Sequence, residues 1–155
     1  MKRVIVVTLF LFGVITASSV FAQTPSFKVT WKEGVIMGLL VPPNTTKEQL
    51  KHLIYKFRQA KKEKTLAALI PPVNRLPDPY TAFMVFIFSD PKWATSEEYK
   101  RYESASINTA KGRAISRAYS NHIMAYYQYD IDDKEYGSLG FDDYGDKSAH
   151  YKKLF

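Results

Sequence analysis

The chain has 155 residues, 46% of them hydrophobic and 24% charged, with a formal charge of +7 and no cysteine. One globular domain fits that length, and a domain of this size buries enough surface to fold without a metal or a disulfide. The missing thiol excludes disulfide scaffolds, cysteine nucleophiles, thiolate zinc sites and iron–sulfur clusters.

Residues 1–22 read as an export signal. Met1-Lys2-Arg3 is a basic start, Val4 to Ala17 is nearly unbroken apolar sequence, and Val20-Phe21-Ala22 precedes the expected cleavage point. A secreted or periplasmic location is therefore expected, with residues 23–155 as a single domain. Cleavage removes Lys2 and Arg3 and lowers the net charge from +7 to +5.

Phe27, Val29 and Trp31 alternate with lysines and a threonine, the period of a half-buried strand, and Glu33-Gly34 supplies a turn. Val35 to Val41 is a continuous apolar run ended by Pro42-Pro43, as in a strand covered on both faces. Thr45-Thr46-Lys47-Glu48 has the form of a capping box with Thr45 as the cap. A helix to about Lys64 follows, with Leu50, Leu53, Ile54 and Phe57 on one stripe. Residues 66–70 fit a short strand or a helix tail, and residues 71–80 are a proline-rich loop. Thr81 to Phe88, the most apolar stretch after the signal, is expected to be a central strand.

Thr95-Ser96-Glu97-Glu98 opens a second helix that turns Tyr99 and Tyr102 inward, with a break expected at Gly112. From Ile123 to Ile131 apolar and polar residues alternate, and after Asp132 to Glu135 the chain can return through Tyr136 to Phe141 as a β-hairpin. Residues 142–155 show no period and read as a loop or short helix. The expected fold is α/β or α+β: a two-layer sandwich in which a β-α-β unit, a second helix and an antiparallel hairpin share one sheet.

If the two buried strands are parallel, their carboxyl ends share one edge, the usual ligand position in open α/β sheets. That edge would bring Asn44 and Thr45 together with Asp90, Lys92 and Trp93 as a small-ligand site. A second candidate is a surface for partners. Nine of the eleven tyrosines lie between Tyr99 and Tyr151, and Tyr126 and Tyr136 are expected to be exposed. The first helix adds Lys51, Arg58 and Lys62 within a basic segment of seven bases and two acids (residues 47–64). Seven acids fall between Asp130 and Asp146, but Lys134 and Glu135 occupy positions that an EF-hand needs for a ligand and a glycine, so no metal site is expected.

His52, His122 and His150 stand apart in sequence, and no nucleophile, zinc or nucleotide motif accompanies them. The expected function is that of a non-enzymatic binding module without a cofactor, for a protein, peptide or glycan partner. An exported location argues against nucleic acid and leaves an anionic membrane surface open. Two alternatives are a small hydrolase using a histidine and a carboxylate, and a structural subunit that forms oligomers through a sheet edge.

Overall fold

The computed structural model describes residues 23–70, 82–143 and 145–155. The export signal and the proline-rich loop lie outside the described residues. Two strands open the fold, β1 (Lys28–Glu33) and β2 (Ile36–Leu40). Helices α1 (Lys47–Lys62) and α2 (Leu66–Leu69) lead to β3 (Phe83–Phe88). Helices α3 (Ser96–Glu103) and α4 (Ala110–His122) lead to β4 (Ala125–Tyr129) and β5 (Glu135–Leu139). The two-residue strands β6 (Asp142–Asp143), β7 (Asp146–Lys147) and β8 (Lys152–Lys153) complete the chain.

Six strands form one mixed sheet in the order β1-β2-β3-β4-β5-β8, and β6 pairs with β7 separately. The pairs are antiparallel except β2 with β3, which are parallel and joined through α1. The helices and mixed sheet make an α+β fold. Gly34 turns the first hairpin with φ +58°, a left-handed conformation that glycine adopts without steric cost.

The alternation along β3 shows how the layers are built. Phe83, Val85 and Ile87 join Leu50, Leu53, Ile54 and Phe57 of α1 in one core, while Phe86 and Phe88 join Tyr99 of α3 and Tyr119 of α4 in another. Successive strand residues face opposite sides, so α1 covers one face of the sheet and α3 with α4 the other. The second helix of the sequence reading is thus two helices, and they form a third layer beyond the two expected. The apolar residues of β2 and β3 account for this, because strands buried on both faces need cover on both.

Local signals placed most elements to within a few residues, with informative shifts. Thr46, not Thr45, caps α1: its hydroxyl accepts from the Gln49 amide, and the Gln49 side chain accepts from the Thr46 amide. The Thr45 hydroxyl instead donates to the Pro42 carbonyl at 2.7 Å and closes the preceding turn. Thr95 caps α3 as expected, accepting from Glu98. The helix break precedes Gly112, which lies in the first turn of α4, and a Cβ there would overlap the Ser106 backbone. Residues 66–70 supply α2. The C-terminal segment, expected as loop or helix, contributes β6, β7 and β8, and Leu154 donates to the Gly137 carbonyl at 2.8 Å.

The acidic hairpin lies against the basic helix. Arg58 Nε donates to Glu135 at 2.9 Å, Tyr127 donates to the other Glu135 oxygen at 2.8 Å, and Lys61 pairs with Asp133. Burial, with Glu135 next, pushes the Tyr127 hydroxyl well above its ordinary range and keeps it a donor. The basic segment of α1 and the acids of the hairpin are thus in part neutralised by each other.

Candidate functional site

The parallel β2–β3 pair does place both expected segments at one sheet edge, where Val41 donates to the Phe88 carbonyl at 2.9 Å. The side chains there serve local structure. Asp90 accepts from the Lys92 amide at 2.9 Å, an Asx turn that shapes the exit of β3. Trp93 stacks on His122 with centroids 4.2 Å apart, and the Lys92 ammonium lies 5.4 Å from the Trp93 ring centre. Asn44 is exposed in the turn that Thr45 closes. A shallow, mostly apolar depression at this edge is lined by Phe27, Val41, Pro42, Pro43 and Pro91, and by none of the five expected residues.

A larger concavity lies on the face covered by α3 and α4. Those helices pack over β1, β2 and the end of β3, where Trp31 covers Gly38 and stacks on Tyr99 at 4.4 Å. A groove of about 750 Å³ opens beside them. Two cross-strand rows make its floor. One runs Ile36, Met84, Gln128, Tyr136, and the other runs Phe86, Tyr126, Ser138, Lys153, each residue directly opposite the next on the neighbouring strand. Tyr99 and Tyr102 form the α3 wall, the β6–β7 turn contributes Asp142 and Asp143, and Tyr151 and Phe155 close the C-terminal side.

Most polar groups in the groove are already engaged. Tyr102 donates to Asp143 at 3.0 Å, and Ser116 donates to the other Asp143 oxygen. Asp142 accepts from the Gly145 amide at 2.8 Å and lies 4.0 Å from the Lys147 ammonium. Tyr126 donates to the Gln128 side-chain oxygen, and Ser138 donates to the Gly140 carbonyl. Burial first, and then the Glu103 carboxylate, push the Tyr99 hydroxyl up to about 12, so it too stays a donor. Among the described residues, the Gln128 amide nitrogen and the Lys153 ammonium have no partner.

The structure brings two of the sequence-predicted surface residues into this groove. Tyr126 is half-buried in its floor and Tyr136 is 43% exposed at its rim. The three cations lie elsewhere, on α1. Lys51 is 3.8 Å from Glu48, Arg58 is held by Glu135 and stands 4.1 Å from the Phe155 ring centre, and Lys62 is exposed. Met84, Gln128, Ser138 and Lys153 escaped the sequence reading. The alternation of β4 puts Gln128 on the side of Tyr126, but nothing local marks Lys153 as part of a strand.

The histidines are dispersed. His52 is exposed on α1, His122 stacks on Trp93, and His150 contacts the Ile123 carbonyl at 3.0 Å. Burial holds His122 below its ordinary value, partly offset by Asp90. No histidine lines the groove, and among the described residues no group of three or more His, Asp or Glu is placed to hold a metal. No helix among the described residues is long and apolar enough to cross a membrane. In comparisons with protein-family models, curated proteins and solved structures, the chain matches none.

Proposed function

We propose that this chain is a non-enzymatic binding module, exported by residues 1–22, whose partner enters the groove floored by Met84, Phe86, Tyr126 and Tyr136. The groove itself carries the reading. Its volume lies within the range of ligand sites, and it combines an apolar, aromatic floor with a few polar groups at the rim. Tyrosine suits such a floor, because the rigid ring stacks on apolar surface while the hydroxyl remains available to water or ligand. A peptide side chain, a glycan face or a small amphiphile shares that chemistry. Hydrolysis draws less support, since a histidine and a carboxylate are not brought into hydrogen-bond range in the groove.

The test is recovery of bound partners from cell-envelope extracts on the immobilised protein, with Tyr136→Ala and Gln128→Ala as a double variant beside the wild type. Both side chains are solvent-accessible, so the double variant should fold. The reading expects partners held by the wild type and lost by the variant. Equal recovery on both would remove the groove from the function.

A further inference from the structure

The groove has two chemically different ends. Ile36, Met84 and Phe86 make its β2–β3 end wholly apolar, whereas Gln128, Tyr136 and Lys153 give the β4, β5 and β8 end hydrogen-bonding capacity. Neighbouring strands stand about 4.8 Å apart, so Phe86 and Lys153, in one cross-strand row, are separated by three spacings, about 14 Å.

The polar end keeps two unspent nitrogen donors beside the Tyr136 hydroxyl. Asp143 already accepts from two hydroxyls, and Asp142 accepts from a backbone amide near the Lys147 ammonium. The Gln128 oxygen is taken by Tyr126, which leaves its NH2 group. The Lys153 ammonium has no acidic partner among the described residues. A ligand that meets these two nitrogens must bring an acceptor, and beside an ammonium a carboxylate gives the stronger, charge-assisted bond.

We propose that the groove takes a medium-chain monocarboxylate, a molecule whose apolar body lies along Ile36 and Met84 and whose carboxylate meets Gln128 and Lys153. This rests on the groove being the binding site. The apolar body replaces water over Ile36, Met84 and Tyr126, and the carboxylate sets the direction in which the molecule lies. Tyr136, opposite Gln128, flanks the headgroup.

The experiment titrates the full chain, carrying 13C-labelled methionine methyls, with decanoate, decan-1-ol and decyltrimethylammonium below their aggregation limits. The Met84 methyl resonance reports the floor directly. Decanoate is expected to move it saturably and with the highest affinity, and the ammonium with the lowest. Lys153→Ala is expected to weaken decanoate about fivefold, the range of a solvent-accessible ion pair, while decan-1-ol is unaffected. Gln128→Glu keeps the acceptor for Tyr126 and replaces the free donor with a negative charge, so it should weaken decanoate more than about tenfold, again sparing decan-1-ol.

Equal affinities for the three probes, or variants that change none of them, overturn the carboxylate assignment while leaving an apolar groove in use. A Met84 methyl unmoved by every probe overturns the ligand class. If partner recovery then still depends on Tyr136 and Gln128, the binding module stands without it; if that dependence is also absent, both readings fall together.

Discussion

The contact between α1 and the β4–β5 hairpin yields a prediction whose size can be worked from the geometry. Glu135 is only 12% exposed at its side chain and accepts from Arg58 at 2.9 Å and from the buried Tyr127 hydroxyl at 2.8 Å. Glu135→Ala strands the Tyr127 hydroxyl, and an unmet buried donor costs about 1–3 kcal/mol. Arg58 is 33% exposed at its side chain and keeps its place over Phe155, so its lost ion pair adds only about 0.5–1 kcal/mol after screening. The total is about 1.5–4 kcal/mol. Glu135→Gln has one oxygen for two donors, so either the Arg58 or the Tyr127 bond is lost along with the charge, about 1–2 kcal/mol. The Lys61–Asp133 pair joins the same two elements, but the Asp133 side chain is 85% exposed. Asp133→Asn should cost under about 0.5 kcal/mol, and asparagine is the right control because Asp133 has φ +58°, a left-handed conformation that asparagine tolerates and alanine does not. Urea denaturation followed by circular dichroism gives all three values from midpoints at a common m-value. If Glu135→Ala fell within 0.5 kcal/mol of Asp133→Asn, burial would not distinguish the two pairs and the reasoning would be wrong.

Three further outcomes follow from particular contacts. His122 is held below its ordinary value of 6.5 mainly by burial, so the unfolded chain takes up its proton at higher pH than the folded one. The resulting stability is complete above pH 6.5 and is lost as pH falls from there towards the lowered folded value. Because the imidazole stacks on Trp93, Trp93 fluorescence should titrate with a midpoint below 6.5, and a transition that survives His122→Gln would refute the assignment. Gly38→Ala places a methyl in the space of the Trp31 indole and should destabilise the fold by about 1–3 kcal/mol, with a changed Trp31 emission; an unchanged thermal midpoint would count against that packing. Thr46→Ala should cost about 1 kcal/mol and Thr45→Ala less, since only Thr46 caps α1; the reverse order in chemical denaturation would restore Thr45 as the cap.

The sequence by itself determined most of the local elements up to β5. Apolar alternation marked β1 and β4, continuous apolar runs marked β2 and β3, and the Leu50–Phe57 stripe with its threonine cap marked α1, because period and capping depend on neighbours in the chain. It could also bring Tyr126 and Tyr136 forward as candidate binding residues, since tyrosines on the polar side of a hairpin are visible in the pattern. Only the tertiary structure decided which face each helix covers. Tyr99 and Tyr119 are compatible with either side of a sheet, and the choice rests on which strand residues still need cover. Likewise Lys152-Lys153 has no strand pattern: it pairs with β5 because Gly137 leaves room for the Phe155 ring and because the Leu154 amide meets the Gly137 carbonyl. That pairing places Lys153 opposite Ser138 and completes the polar end of the groove. The groove was hidden for the same reason, since its floor joins residues from β2, β3, β4, β5 and β8 that only strand register makes neighbours.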